Sequence, residues 1–487
     1  MKRLSCLLSA LALLCVLPSA RADLNSDVRA LLQEKSLAKA DVGVAIARLS
    51  SQKDPEILFR HQSDIGLIPA SNLKVLTTSA ALEKLGPEFK FQTILAQKGN
   101  DLVIIGDGDP TLGDVEMLKK VGWDTTTVFR NWAESLRKQN IGDVANVLVD
   151  DSIFDDNFVP ASWPVDQQHK RYVAQVGGLN LNANCLDFYL RVGEPGQVVT
   201  YRTDPQTKYA DIRNTCIYSN RNAVWLSRTP NTNDIILRGE TDANNNEPIS
   251  VTVNDPPMFA GTVLAETLNK NGVTVSGTVK RDRTIRDAIL AKSPDVKILA
   301  INETPLTSVI SRANKDSMNL YAECLCKRLG HEVAQKPGSW ENGTAAVKAF
   351  VMSCGVDAEE VKLDDGCGLS KKNAISANSV MRVLAHDFAG PNRNTFISTL
   401  AVGGEDGTLE HRFRDDLKGR VFAKSGYVAG VSCLSGYVNT KDNHWFCFSI
   451  LMNGVYVGDV KIIQEKIVKA IDRNATSATS ANIASGQ

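Results

Sequence analysis

Histidine is scarce in this 487-residue sequence: six residues, scattered, with no H-E-x-x-H and no C-x-x-C anywhere. No metal-ligand spacing can be read, and no cofactor or metal site is assigned. Basic residues form no stripe or block. Lys plus Arg and Asp plus Glu each number 55, and removing Lys2, Arg3 and Arg21 with a leader leaves a slight acidic excess. That excludes nucleic acid and an anionic membrane as main partners. No apolar run beyond residue 22 is long enough to cross a bilayer, so no transmembrane segment is expected in the mature chain.

What is present begins with an export signal. Lys2-Arg3, an apolar run from Leu4 to Leu17 and Ala20-Arg21-Ala22 read as a signal peptide over residues 1–22. The expected location is therefore the periplasm. Cys6 and Cys15 leave with the leader, and the remaining eight cysteines could form disulfides in an oxidising compartment. Cys433 and Cys447 flank the turn Asn439–Asn443 at similar distances, which suggests that they face each other across a hairpin.

The length allows two to four domains. Near the N-terminus the patterning predicts a helix (Ser26–Glu34), a strand (Val42–Arg48) and a helix that begins after Pro69 and ends at Gly86-Pro87. Alternating strands and turns dominate 185–290. Farther on, Leu306–Ser311 leads into a helix containing Ser317-Met318-Asn319, and Val431–Val438 with Trp445–Met452 reads as a hairpin. A closing helix spans Val457–Ile471, and the Ser/Ala/Thr-rich tail 474–487 is expected to be disordered.

One stretch organises the chain: Pro69-Ala70-Ser71-Asn72-Leu73-Lys74-Val75-Leu76. It puts Ser71 at the first turn of an apolar helix, where free N–H groups favour a developing oxyanion. Lys74, three residues on, shares that face. A desolvated lysine there can serve as base for a serine nucleophile. The S-x-x-K pattern alone is weak, since Ser36–Lys39, Ser50–Lys53 and Ser135–Lys138 also match. Those three sit in polar or exposed surroundings. Alone, Ser71 reads first as an N-cap serine.

The order of motifs separates these readings. S-x-x-K at Ser71 is followed by S-x-N at Ser317 and by the one K-[ST]-G, Lys424-Ser425-Gly426, on a strand before a hairpin and a closing helix. This set resembles the penicillin-recognising serine acyltransferases. Gly106–Leu112, Asp365–Ser370, Gly404–Leu409 and the long gap between Ser71 and Ser317 narrow the resemblance. They point to the class C low-molecular-mass penicillin-binding proteins, the D-alanyl-D-alanine carboxypeptidase/endopeptidase family.

The resemblance implies an α/β (α+β) fold. A β-lactamase/transpeptidase-like domain, 23–89 and 292–473, would hold a five-stranded antiparallel sheet between helices. Two mainly-β domains would be inserted, one formed by 90–114 and 188–291 and the other by 115–187. It implies Ser71 as nucleophile, Lys74 as base and Ser317 as proton relay. Asn319, Lys424, Ser425, Gly426 and Tyr427 would bind substrate, with the Ser71 and Tyr427 N–H groups as oxyanion hole. Peptidoglycan stem peptides would be the substrate and β-lactams covalent inhibitors; a homodimer stays open. Cys367 stands where the family usually has serine, which suggests a further disulfide, and Asn182 falls where some members place an acid near the site. A β-lactamase or esterase would share the three motifs, and a wall-binding protein would keep only the fold.

Overall fold

The computed structural model describes residues 23–50 and 53–484. The leader expected over 1–22 and the terminal residues 485–487 lie outside the described residues.

The two ends of the chain build one antiparallel sheet. Its order is Ala401–Val402, Val421–Val428, Val431–Asn439, Trp445–Asn453, Asp41–Ser50 and Lys53–His61. The resemblance implies five strands and the sheet has six, the extra one being the two-residue edge strand Ala401–Val402, too short to leave a periodic signal; the patterning also does not predict Lys53–His61. Strand Asp41–Ser50, fifth in this order, is buried on both faces because its side chains alternate. Val44 and Ile46 join a core with Phe448, Ile450, Val460, Ile463 and Ile467 of the closing helix. Ala45 and Ala47 turn the other way, into the core that contains Leu73, Val75 and Leu76.

That second core holds the helix Leu73–Leu85, preceded by a 3-10 turn at Ala70–Asn72. Every residue from Leu73 to Leu82 is buried, as expected of a helix walled on all sides. Helices Leu306–Lys315, Asn319–Ala334, Trp340–Ser353 and Ala377–Ala389 surround it. Gly86 ends it, at φ 84°.

Between the two ends, a five-stranded sheet runs Val279–Arg281, Val147–Asp150, Asp101–Ile105, Lys90–Lys98 and Val296–Pro305. Helices Thr127–Lys138 and Pro256–Lys270 pack on its core with Phe129, Trp132, Phe259 and Val263. Two three-stranded sheets complete this region. Strand Val147–Asp150 lies between Asp101–Ile105 and Val279–Arg281, so the segments 115–187 and 90–114/188–291 are woven into one sheet.

Three expectations need correction. All eight described cysteines are free. In the hairpin Cys433 lies opposite Leu451, and Cys447 opposite Tyr437. The two thiols are thus four residues out of register, roughly 13 Å along the strand, beyond the span of a disulfide. Cys367 is likewise a buried free thiol. The final helix does not stop at Ile471; it runs Val457–Ala484, through most of the tail expected to be disordered. No Gly or Pro interrupts that stretch after Gly458, and alanine, the best helix former, recurs in it. Finally, Ser317 is not inside a helix. Helix Leu306–Lys315 ends before it, helix Asn319–Ala334 starts after it, and Ser317 itself adopts φ 59°.

Candidate active site

Lys74 is fully buried, yet no carboxylate among the described residues pairs with its side-chain amine. Its Nζ donates to three oxygens instead: Ser71 Oγ at 2.9 Å, Asn319 Oδ1 at 2.8 Å and the Cys367 carbonyl at 2.9 Å. Burial lowers the Lys74 pKa from its ordinary value, opposed by the negative potential of Cys367, Glu323 and Asp365. A lysine lowered by desolvation and already bonded to a hydroxyl is built to accept that hydroxyl's proton. Ser71 is partly exposed, at the start of the buried helix.

The residue before Ser71 is held at unusual geometry. Ala70 adopts φ 46°, in the left-handed region that alanine rarely enters, a conformation costing on the order of 1–3 kcal/mol. Ser317, on the facing wall, is held the same way. Such strain persists only where packing over-determines it, and here it lies on both sides of one cleft.

Lys424 is the second buried cation, on strand Val421–Val428. Its Nζ donates to Ser317 Oγ at 2.9 Å and to the Ser425 carbonyl at 2.7 Å. Burial pushes its pKa well down, and the positive charge of Lys74 pushes the same way. The Ser425 hydroxyl bonds Thr408 Oγ1 at 2.8 Å. The Asn319 amide nitrogen donates to the Tyr172 carbonyl at 2.8 Å, which ties the S-x-N motif to the inserted region. Ser71, Ser317, Asn319 and the exposed Tyr427 open on one cleft of about 720 Å³, also lined by Ser162, Pro164, Gln167, Tyr172, Gly368, Leu369 and Lys371. The structure thus brings together the residues of all three motifs, two lining the cleft and the third, Lys424, buried beneath it. A partly exposed hydroxyl, an adjacent buried amine, a second hydroxyl on a second buried amine and an accessible cleft together suit acyl transfer.

Comparison with known proteins agrees with that chemistry. The D-Ala-D-Ala carboxypeptidase 3 (S13) family matches residues 24–475. This chain belongs to that family. It is 30% identical over 459 residues to the D-alanyl-D-alanine carboxypeptidase of Actinomadura sp. (strain R39), covering 89% of this chain and 81% of that protein. It is 24% identical to the D-alanyl-D-alanine carboxypeptidase DacB of Haemophilus influenzae, covering 83% and 84%. The crystal structure of penicillin-binding protein 4 (DacB) from H. influenzae shares the fold, with TM-score 0.74 and 23% identity over 93% of this chain and 99% of that one. This S13 chain is accordingly a serine-type D-Ala-D-Ala carboxypeptidase.

Sequence reasoning missed several residues of this S13 site. Thr408 lies in the Gly404–Leu409 stretch that marked the family, but nothing in the stretch reveals that its hydroxyl meets Ser425. Asn72, adjacent to Ser71, sends its amide to the Lys424 carbonyl at 2.9 Å. Tyr172, Gln167 and Ser162 come from the inserted region, which carries no motif pointing to the cleft. Asn182 is corrected in the opposite sense. It is buried and donates to the carbonyls of Cys185 and Asp204 and to Asp187 Oδ2, at 3.1–3.2 Å. It does not line the cleft; it holds the start of strand Cys185–Arg191.

Proposed function

We propose that Ser71 is the acylated nucleophile of this carboxypeptidase and endopeptidase, acting on peptidoglycan stem peptides and cross-links in the periplasm after removal of a leader over 1–22. The observation that carries the assignment is the contact set of Lys74: a buried amine 2.9 Å from Ser71 Oγ and free of any carboxylate partner among the described residues.

Ser71 Oγ attacks the carbonyl carbon of a D-Ala-D-X bond as its proton passes to Lys74. The N–H groups of Ser71 and Tyr427 receive the oxyanion, a contribution of about 3 kcal/mol per donor. Collapse breaks the C–N bond as Ser317, bonded to Lys424, passes its hydroxyl proton to the leaving amine and is reprotonated by the proton that Lys74 took from Ser71, which leaves Lys74 neutral. Water then attacks the acyl-enzyme ester, releasing the shortened peptide and restoring Ser71. Lys424 and the Ser425 hydroxyl hold the terminal carboxylate of the substrate, whose charge restores the protonated form that burial disfavours in Lys424. Gly426 gives the strand its close approach to Ser71, and Asn319 orients Lys74 and the substrate amide. Residues 90–291 act as an insertion that walls the cleft through Ser162, Gln167 and Tyr172. One chain supplies every reacting group, so the reaction needs no second copy.

A β-lactam presents an acyl bond and a carboxylate in the same relation, and should acylate Ser71 with slow release. A relative of the same fold, H. influenzae penicillin-binding protein 4, has been crystallised in complex with a β-lactam. Labelling the purified mature protein with fluorescent penicillin, followed by peptide mass spectrometry, tests the reading. A stable adduct on Ser71 that is absent in Ser71→Ala is expected; folded protein that takes no label overturns it.

A further inference from the structure

Beneath Lys74 lies a turn, 365–370, pinned from behind by two buried carboxylates that touch no reacting group. Glu323 is fully buried on helix Asn319–Ala334. It accepts the Gly366 N–H at 3.0 Å, the Cys367 N–H at 2.7 Å and the Trp340 indole N–H at 2.7 Å. Asp365, also fully buried, accepts the N–H groups of Gly368 at 2.8 Å and Ser370 at 2.7 Å, the Asn373 amide at 2.8 Å and the Trp163 indole at 2.9 Å. Every N–H bond named here fixes the turn or a neighbour of it.

The front of that turn faces the reacting pair. The Cys367 carbonyl is one of the three acceptors of Lys74 Nζ, and Thr77 of the nucleophile helix donates to the Gly366 carbonyl at 2.7 Å. At Gly368, φ is 88° and a Cβ would lie 1.8 Å from the Ala70 carbonyl oxygen, so the turn is pressed against the strained residue before Ser71. Glu323 also lies one helical turn after Asn319, on the same face. A single helix therefore reaches Lys74 twice, directly through Asn319 and indirectly through Glu323 and the turn.

We infer that Glu323 is a positioning residue for acylation, holding the Cys367 carbonyl on Lys74 and supplying the buried negative charge that favours the ammonium formed when Lys74 takes the proton of Ser71. This rests on Ser71 and Lys74 being the reacting pair. Proton balance is simple: the proton leaves Ser71 Oγ, resides on Lys74 Nζ, and is accommodated by Cys367 O and Asn319 Oδ1. Burial, reinforced by the Asp365 charge, raises the Glu323 carboxyl to about 7, against the hydrogen bonds from Cys367, Trp340 and Gly366. Its ionisation then adds a negative charge behind Lys74 as pH rises through neutrality. The titratable groups that face it are Asp365, Cys367, Cys324, Cys326, Lys327 and Lys74.

Glu323→Gln keeps the volume and removes the charge. The expected result is a plateau rate of Ser71 acylation by penicillin lowered about tenfold, the scale of one charge-assisted hydrogen bond. The acidic limb of the pH–rate profile should also move to lower pH, because the charge that favours protonated Lys74 is gone. Glu323→Asp, which keeps the charge with a shorter reach, should lower the plateau and leave the limb nearer to wild type. An unchanged plateau, or a lowered plateau with an unmoved limb in Glu323→Gln, overturns the inference, and so does failure of both variants to fold, which makes Glu323 a structural residue only. A wild-type chain that is not acylated at Ser71 instead refutes the proposed function, so the two failures are distinguishable.

Discussion

The side-chain amide of Asn72 donates to the carbonyl of Lys424 at 2.9 Å, so the residue after Ser71 is hydrogen-bonded to the strand that carries Lys424-Ser425-Gly426. Gly426 makes this approach sterically feasible. A Cβ there would lie 2.8 Å from the Pro69 carbonyl oxygen and 3.0 Å from both nitrogens of Asn72. Two of those three atoms are backbone and cannot swing aside. Gly426→Ala is therefore expected to push strand and nucleophile apart. Penicillin acylation should fall more than about tenfold, since misplacement on the ångström scale costs that much or more, and the melting temperature should fall as well.

Lys74→Arg tests the base. Arginine keeps a cation but cannot give up its proton at any accessible pH. Acylation of Ser71 is expected to fall by about 10²–10⁴-fold, the usual worth of a positioned base. Rapid-quench labelling checks this, and wild-type rates in a folded variant would remove Lys74 from the mechanism.

Thr408→Val removes the 2.8 Å bond to the Ser425 hydroxyl at nearly constant volume. One neutral hydrogen bond is worth about 1 kcal/mol. The expected outcome is a KM for carboxylate-terminated peptides raised about fivefold with kcat nearly unchanged, measured on a synthetic D-Ala-D-Ala peptide. A fall in kcat at constant KM would place Thr408 in the chemical step instead.

Asp387 predicts a pH dependence of stability. Its Oδ1 accepts from Ser79 at 2.6 Å, while its Oδ2 is buried without a partner. Burial raises the carboxyl to about 8, with the Ser79 bond opposing and Glu83 adding to the shift. The folded chain thus retains a proton that the unfolded chain releases above its ordinary value of about 4. The stabilisation is complete below about pH 4 and is lost as pH rises to about 8. Asp387→Asn keeps the acceptor for Ser79 and abolishes the titration. Melting temperatures should be similar near pH 4 and favour the variant by several degrees near pH 8; parallel curves would refute the assignment.

The sheet was legible only in part, and Lys53–His61 went unread although it has nine residues. Asp41–Ser50 and the closing hairpin carry enough β-branched and aromatic residues to be read, whereas Ala401–Val402 has only two residues and owes its strand character to pairing with Val421–Val428. Register was not legible. The Asn439–Asn443 turn locates the hairpin but not its pairing, and a four-residue offset separates Cys433 from Cys447. The final helix was underestimated because a Ser/Ala/Thr-rich composition was read as disorder, while its alanines and lack of Gly or Pro favour helix.

For the site, the sequence by itself determined the motifs on which the proposed reactive groups lie: a serine three residues before a lysine on an apolar helix, then S-x-N, then K-S-G in that order. Covalent neighbours set the first pair, because three residues span nearly one helical turn and place Lys74 over Ser71. Only the tertiary structure decided the rest. Whether Lys74 is charged depends on its burial and on Glu323 and Asp365, the latter 291 positions away along the chain. Whether Ser317 meets Lys424 depends on a helix break at φ 59°, and whether Thr408 meets Ser425 depends on a loop folded over a strand. Desolvation and contact across the core are sums over distant residues, and no local pattern carries them.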